Sequence, residues 1–453
     1  MRYIKYRQIS LVTLPGAREI PAHWKVVPLK YLMINLDYLR EPISADKRPR
    51  NNPQYDYYGA SGVIDKIDYY NVDDTVLLIG EDGANLILRN LPLIYKASGR
   101  FWVNNHAHIL KPKEDDYSYM AHQMETLDYF HLITGAAQPK LSQENLNKVR
   151  LLVPPLSEQK GIAAYLDEKC GKVDALVAAK ERQVKLLKEL RERVIADAVT
   201  GKISPTEGAE NAENETSRTS RTRMLAHPSG SASPNLPSEA ELLRRISREK
   251  TKPSGVFWQP MMPAHWVVRK LKYVLSKLRR ERYPDAELLV CTNKGKVIKR
   301  GESKMGLVSD DISIYQGVKQ GDLLIHGMDT WHGAVAVSDD DGMCTPVVHV
   351  CDSRDDKRFI AYYLRNMAKG RVFKLISNGV RQNTSDFRSW EKLAAIPIIL
   401  PPLSEQKEIV EYIERKTAKI DELAQKLEDE IKKLKEFRER LVADVVTGQR
   451  KVV

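Results

Sequence analysis

The amino-acid sequence predicts an α+β protein in which two mixed α/β globules alternate with two long helices. Three observations carry that reading. The chain repeats itself internally, the repeated segments hold a seven-residue apolar period, and the segments between them read as short strands and helices among turns.

The repeat is explicit in the letters. Pro21-Ala22-His23-Trp24 returns as Pro263-Ala264-His265-Trp266, and Leu29-Lys30-Tyr31 returns as Leu271-Lys272-Tyr273, both at an offset of 242. Pro154-Pro155-Leu156-Ser157-Glu158-Gln159-Lys160 returns unchanged as residues 401–407, and this second offset of 247 runs without a gap to Thr200-Gly201 and Thr447-Gly448. Of the 48 positions so aligned, 26 are identical, which marks a duplication. The middles, roughly 35–150 and 275–395, have diverged almost completely.

The repeated segments read as helices. Ser157 and Ser404 are expected N-caps, each followed by a Glu suited to the positive end of the helix dipole. Gly201 and Gly448 stand where a C′ glycine ends a helix. The second copy has an apolar ladder at Ile413, Ile420, Leu427, Leu434 and Leu441, with a second row at Ile409, Leu423 and Phe437 broken by Lys416 and Glu430. The first copy has Leu166, Val173, Leu187 and Val194, flanked by Ile162, Leu176 and Leu190. A sustained heptad predicts a coiled-coil seam, and some 43 residues at about 1.5 Å each give a rod of roughly 60 Å.

In the middles, Thr75–Ile79 and Asp322–Ile325 read as strands between Gly/Asp turns, and helical patterns follow near 117–133 and 357–375. Residues 203–237, rich in Ser, Glu, Asn and Pro, read as a linker. The capping box Ser238-Glu239-Ala240-Glu241 opens a short helix after it.

Composition narrows the function. No run approaches the ~18 apolar residues of a membrane span, and MRYIKYRQIS lacks a secretory core. The four cysteines have no C-x-x-C spacing and read as reduced thiols of a cytoplasmic protein. A formal charge of +12 permits a polyanionic partner. Base methylation would need an Asn/Asp-Pro-Pro-aromatic motif, and Asn52-Pro53-Gln54-Tyr55 lacks the second proline. No Walker-type loop and no G-x-S-x-G elbow is present. Pro284-Asp285 with Glu302-Ser303-Lys304 has the spacing of a nuclease metal site, but the same residues read as a turn and a solvated basic loop. His106-Ala107-His108, expected on one face of a strand, and His349-Val350-Cys351 supply no four-ligand set, so neither a metal nor another cofactor is expected.

Other features suit DNA. Residues 277–304 hold nine Lys and Arg against four acids, among them Lys294, Lys296, Lys299, Arg300 and Lys304, a density that phosphates select. In the first middle, Tyr55, Tyr57, Tyr58, Tyr69 and Tyr70 flank the turn Gly59-Ala60-Ser61-Gly62 and are either sheet core or DNA contacts. Tyr58, Ser61 and Lys66 are the contact candidates there. Gly135-Ala136-Ala137-Gln138, followed by Lys140, and Gly379-Val380-Arg381-Gln382 hold the same place in the two repeats. Gln can bond adenine and Arg guanine bidentately, so Gln138, Arg381 and Gln382 are candidate base readers.

The paired P-P-L-S-E-Q-K helix starts, the R-E-R-x-x-A-D-x-V-T-G helix ends, the run Ser98–His108, Glu81-Asp82-Gly83-Ala84 and Gly135–Leu141 together resemble the specificity subunits of Type I restriction-modification systems. The second middle lacks the G-x-F-x-x-N-x-H text of the first. The resemblance implies two target recognition domains (15–153 and 256–400), two antiparallel coiled-coil spacer helices (154–202 and 401–453), and a linker with a short helix at 203–255. The halves would be related by a pseudo-twofold. It also implies a non-catalytic role on double-stranded DNA with two methyltransferase and two restriction subunits as partners. The rods would then hold two divergent readers on a bipartite, asymmetric site, about one helical turn or ~34 Å apart. A stand-alone metal-dependent nuclease and a coiled-coil scaffold without DNA are the competing readings.

Overall fold

The computed structural model describes residues 3–5, 19–135, 137–203, 251–281, 283, 286–302, 312–377 and 387–452. The chain forms two compact units, one of residues 1–183 and 426–453, the other of residues 184–425. Each long helix therefore contributes one part to each unit.

The first unit opens with β1 (Lys25–Pro28), α1 (Leu29–Leu32) and β2 (Met33–Asn35). Five strands follow: β3 (Tyr55–Gly59), β4 (Gly62–Ile67), β5 (Val72–Gly80), β6 (Ile94–Val103) and β7 (Ala107–Pro112). These strands make a six-stranded sheet in the order β2-β7-β5-β6-β3-β4. All neighbours are antiparallel except β3 and β6. The predicted strand at Thr75–Ile79 lies in the middle of it, with Val76, Leu77, Leu78 and Ile79 all buried. Leu77 and Ile79 face one core with α2 (Tyr117–Glu125), while Val76 and Leu78 face a second, as period-two alternation requires. β8 (Arg150–Val153) pairs with β1 and leads into α3 (Leu156–Val199).

The second unit repeats that frame. β9 (Val267–Lys270) pairs with β18 (Pro397–Leu400), which leads into α5 (Leu403–Val446). Between them, β10 (Leu275–Lys277), β17 (Val348–Ser353), β14 (Leu323–His326) and β15 (Val335–Val337) form a four-stranded antiparallel sheet in that order. Two two-stranded antiparallel sheets complete it: the hairpin β11 (Leu289–Cys291) with β12 (Val297–Lys299), and β13 (Gln316–Val318) with β16 (Gly342–Cys344). Helix α4 (Lys357–Lys369) covers the sheet with Phe359, Ile360, Tyr363, Leu364 and Met367. All four cysteines are free and buried.

The repeated letters explain themselves as joints. Trp24 Nε1 donates to Glu158 at 3.1 Å, and His23 bonds the same carboxylate at 2.8 Å. Trp266 and His265 do the same to Glu405 at 3.1 and 2.7 Å. The helix ends arrive at these tryptophans too. Gly448 and Gly201 both have φ +71°, and a Cβ there would press on Pro21 and Pro263 at 2.6 and 2.5 Å and on Trp24 and Trp266 at 3.3 and 3.2 Å. Only glycine fits a left-handed residue packed flat on a proline and an indole. Gln159 is buried and ties the helix start to the globule: its amide donates to Asp115 at 2.8 Å and accepts from the Asp116 amide at 2.9 Å. Gln406 repeats both bonds with Asp355 and Asp356 at 2.8 and 2.7 Å.

Two expectations for the helices need correction. Helix α3 begins at Leu156, and the Pro155 carbonyl accepts from the Glu158 and Gln159 amides. Ser157 and Ser404 thus lie inside the first turn and are not N-caps, because the preceding Pro-Pro already sets helix-compatible φ. The second apolar row also differs. Leu423, Phe437 and Leu176 are exposed, while Thr417, Ala424, Ile431 and Val445 are buried one position further on. With Ile413, Ile420, Leu427, Leu434 and Leu441 these give alternating spacings of four and three, a coiled-coil seam. The earlier row holds Lys416 and Glu430, so its seam would have buried charges. In the first helix the matching row is Cys170, Val177, Val184 and Ala198, all buried. Within each unit the two helices run antiparallel. Arg438 pairs with Asp174 at 2.8 Å and Lys180 with Glu430 at 2.5 Å in the first, and Arg191 pairs with Asp421 at 2.9 Å in the second.

Candidate nucleic-acid interface

In the first unit, one end of the six-stranded sheet gathers the polar loops. The turn Gly59–Gly62 folds onto the end of β5, where a Cβ on Gly80 would stand 2.6 Å from the Ala60 carbonyl. The loop Thr134–Leu141 lies across the same end. Thr134 and Lys140 exchange main-chain bonds at 2.8 and 2.7 Å, Gly83 donates to the Pro139 carbonyl, and Leu141 donates to the Glu81 carbonyl. Ser61, Gln138 and Lys140, singled out from sequence, are thereby brought to this end. Gln138 is exposed in this loop, and Ser61 is half-buried.

Beneath the loop is a buried ionic network. His108, 1 % exposed, sits between the Asp37 carboxylate at 2.6 Å and the Leu141 carbonyl at 2.9 Å. Glu81 pairs with Arg40 and, at 3.0 Å, with Lys140. Burial pushes the Asp37 carboxyl up, but the hydrogen bond and charge of His108 and the Ile109 amide outweigh it and hold it below the usual range. Glu81 is likewise held low against burial by Arg40, Lys140 and the charge of His108. His106 is a correction: β7 starts at Ala107, so His106 stands in the preceding turn, off the face of His108, and bonds Asp82 at 2.7 Å.

Two first-module candidates remain, Tyr58 directly before the Gly59–Gly62 turn and Lys66 further along the hairpin. Tyr58 is half-buried on β3 with its ring edge-on to Phe101 at 5.4 Å, and burial pushes its hydroxyl up. Lys66 forms an exposed pair with Asp56 at 3.1 Å across the β3–β4 hairpin. Of the other tyrosines, Tyr57 is core, whereas Tyr69 and Tyr70 are exposed and Arg100 lies 4.8 Å over the Tyr70 ring. Sequence reasoning passed over Tyr38, 79 % exposed beside Asp37, because no pattern sets it apart from a solvated residue.

In the second unit, Lys294 and Lys296 stand exposed on the turn between β11 and β12. That turn rests on a half-buried guanidinium: Arg365 donates to the Lys294 carbonyl at 3.0 Å, and a Cβ on Gly295, φ +72°, would collide with it. Burial and the charge of Arg191 hold the Arg365 pKa below its usual value. Lys299 pairs with Glu287 at 2.7 Å, and Arg300 follows it, half-buried. Lys304, Arg381 and Gln382 lie outside the described residues, as do Pro284, Asp285, Ser303 and Lys304 of the nuclease-like spacing. Among the described residues no cluster of His, Cys, Asp or Glu could hold a metal ion, and no helix is long and apolar enough to cross a membrane. His349 and Cys351 are buried; His349 donates to the Phe387 carbonyl at 2.7 Å.

Residues 21–186 and 263–433 each match the family model of the Type I restriction modification DNA specificity domain. The chain belongs to this family. As a specificity subunit it is the non-catalytic member of a Type I system. The EcoDI specificity subunit of Escherichia coli is 20 % identical over 96 % of this chain and 90 % of its own length. A putative specificity subunit of Haemophilus influenzae is 30 % identical over 32 % of this chain, and the match spans 36 % of that relative. The StySPI specificity subunit of Salmonella potsdam is 23 % identical over 73 % of this chain and 65 % of its own length. A solved chain of a type I R-M system shares the fold at a TM-score of 0.58 and 12 % identity, covering 95 % of this specificity subunit and 99 % of that chain.

Proposed function

We propose that this specificity subunit reads a bipartite, asymmetric double-stranded DNA site, one half with each globule, and carries the methyltransferase and restriction subunits that act there. The observation behind this reading is a constant frame built twice around two different readers. Trp24–Glu158 and Gln159–Asp115 recur as Trp266–Glu405 and Gln406–Asp355, while a six-stranded sheet in one unit is replaced by a four-stranded sheet in the other. Two copies of one frame offer two equivalent attachment sites, hence two methyltransferase and two restriction subunits. Two unlike readers specify two unlike half-sites. The readers comprise residues 15–153 and 256–400, the helices 154–202 and 401–453 set the distance between half-sites, and 203–255 links the two copies. Ser61, Gln138 and Lys140 in the first reader and Lys294, Lys296, Lys299 and Arg300 in the second supply the DNA contacts. Acting on chromosomal DNA places the assembly in the cytoplasm.

The test is a module exchange. Residues 275–395 are replaced by the matching segment of another specificity subunit, and methylated sites are mapped genome-wide in cells that also carry the methyltransferase subunit. One half-site should change while the other half and the spacing stay. A change in both halves would refute independent reading.

A further inference from the structure

In the first unit, the loop that carries Gln138 is bonded at its base on both sides. Thr134 and Lys140 clasp each other, Gly83 holds Pro139, and both main-chain groups of Leu141 are taken, its N–H by the Glu81 carbonyl at 2.7 Å and its carbonyl by His108 at 2.9 Å. His108 is the buried side chain that bonds the Leu141 carbonyl. Its two neighbours, a carboxylate and a carbonyl, are both acceptors, so satisfying both requires the ring to donate from each nitrogen. Asp37 in turn spends its second oxygen on the Ile109 amide at 2.8 Å, which locks the carboxylate to β7. The side chain is 1 % exposed and has no route to DNA.

We propose that His108 is the positioning residue of the first DNA-reading loop, an imidazole clamped between Asp37 and the Leu141 carbonyl that presents Gln138 in a fixed shape. The proposal rests on the reading of that loop given above. A loop ordered before binding loses less freedom when DNA arrives, so its hydrogen bonds to bases count more fully toward affinity. Replacing His108 leaves the buried Leu141 carbonyl and the Asp37 carboxylate short of a donor. The loop is then free to relax while the sheet, held by its own ladders, keeps its shape.

The test uses the full chain assembled with its methyltransferase subunit, wild type against His108→Gln, with Asp37→Asn as a second variant should the first fail to fold. Methylation is measured on duplexes carrying single-base changes in either half-site, and amide hydrogen exchange is followed in parallel. The variant should raise the apparent KM for DNA about tenfold. It should also cut discrimination in the first globule's half-site about tenfold, the scale of one base contact. The kcat at saturating DNA and discrimination in the other half-site should not change. Exchange at Thr134, Lys140 and Leu141 should quicken while that of Leu77–Ile79 stays slow. Unchanged discrimination despite quickened loop exchange would overturn the proposal, as would a fall in kcat at constant KM. If Gln138→Ala in the wild-type background leaves first-half discrimination intact, the reading of the loop itself falls, and the proposal with it.

Discussion

Trp24→Phe and Trp266→Phe probe the joint on which each unit is built. Each indole is buried, donates to a helix-start carboxylate at 3.1 Å, and backs onto a helix-end glycine. Phenylalanine keeps most of the apolar contact but removes the N–H and part of the ring. A hydrogen bond to a charged group contributes about 1.5–3 kcal/mol, and a void of a methyl group or more costs about 1 kcal/mol. Glu158 and Glu405 are 26 % and 24 % exposed at the side chain and keep their histidine partners, so water and His23 or His265 recover part of the first effect. The expected loss is therefore about 2–3 kcal/mol for either variant. Glu158→Gln retains an acceptor for the indole and should cost about 1 kcal/mol. Urea unfolding followed by far-UV circular dichroism, with calorimetry to separate the transitions of the two units, measures all three. A loss below ~0.5 kcal/mol for both tryptophan variants would show that the joint does not hold the helices. A large loss in one unit and none in the other would show that the repeated letters have unequal roles.

Acidification should weaken the second unit before the first. Burial holds the His349 and His326 pKa values below 6.5, so the unfolded state binds protons more readily and their contribution, full above about pH 6.5, is lost as pH falls below it. In the first unit Asp37, Glu81 and Asp65 (the last lowered to about 2, chiefly by the Arg48 hydrogen bond) hold full stability above the ordinary carboxylate range and lose it only below about pH 4. Calorimetry at pH 7, 5.5 and 4 on wild type and His349→Gln checks the order; a wild-type second transition that does not move between pH 7 and 5.5 would refute it. Ile413→Asp, at a fully buried seam position, should cost about 3–5 kcal/mol or leave the chain insoluble, whereas Leu423→Asp, on the exposed row, should cost less than about 1 kcal/mol; equal effects would return the seam to the row read from sequence. Lys294→Ala with Lys296→Ala should flatten the dependence of log K for DNA on log salt by up to about 2, without relaxing base preference, in titrations of the assembled complex; an unchanged slope would remove the turn from the interface.

Much of the architecture was legible because its signals are local. The helix ends at Gly201 and Gly448, the strand at Thr75–Ile79 and the heptad ladder each lie within a short window, and the structure has them where the letters put them. What was not legible depends on residues far apart. The second seam row was misread because Leu423 and Phe437 are larger and more apolar than Thr417 and Ala424, yet the helices approach along the row that holds Thr417, Ala424, Ile431 and Val445. His108 looked like half of a metal pair; its partners Asp37 and Leu141 come from 71 and 33 residues away. The Asp-Asp pairs at 115–116 and 355–356 also went unseen as part of the repeat, since two letters at an offset of 240 carry no signal until Gln159 and Gln406 are found bonded to them.

Those Asp-Asp pairs bear on how one frame can carry unlike readers. In both units the first Asp receives the glutamine amide, while the second caps the following helix through the Tyr119 or Phe359 amide and offers its own N–H back to the glutamine. The joint between reader and frame thus consists of one glutamine, two aspartates, and a strand pair, β1–β8 or β9–β18, whose pairing is main-chain and indifferent to side chains. Nothing in that joint depends on whether a six-stranded or a four-stranded sheet lies beyond it. A reader can diverge freely provided it brings an Asp-Asp at the start of its covering helix and returns the chain to the same strand. The frame tolerates no such freedom, because Trp24 and Gly448, or Trp266 and Gly201, press a helix start and a helix end into one contact. Divergent middles between near-identical ends are what this division of constraint leaves in the sequence.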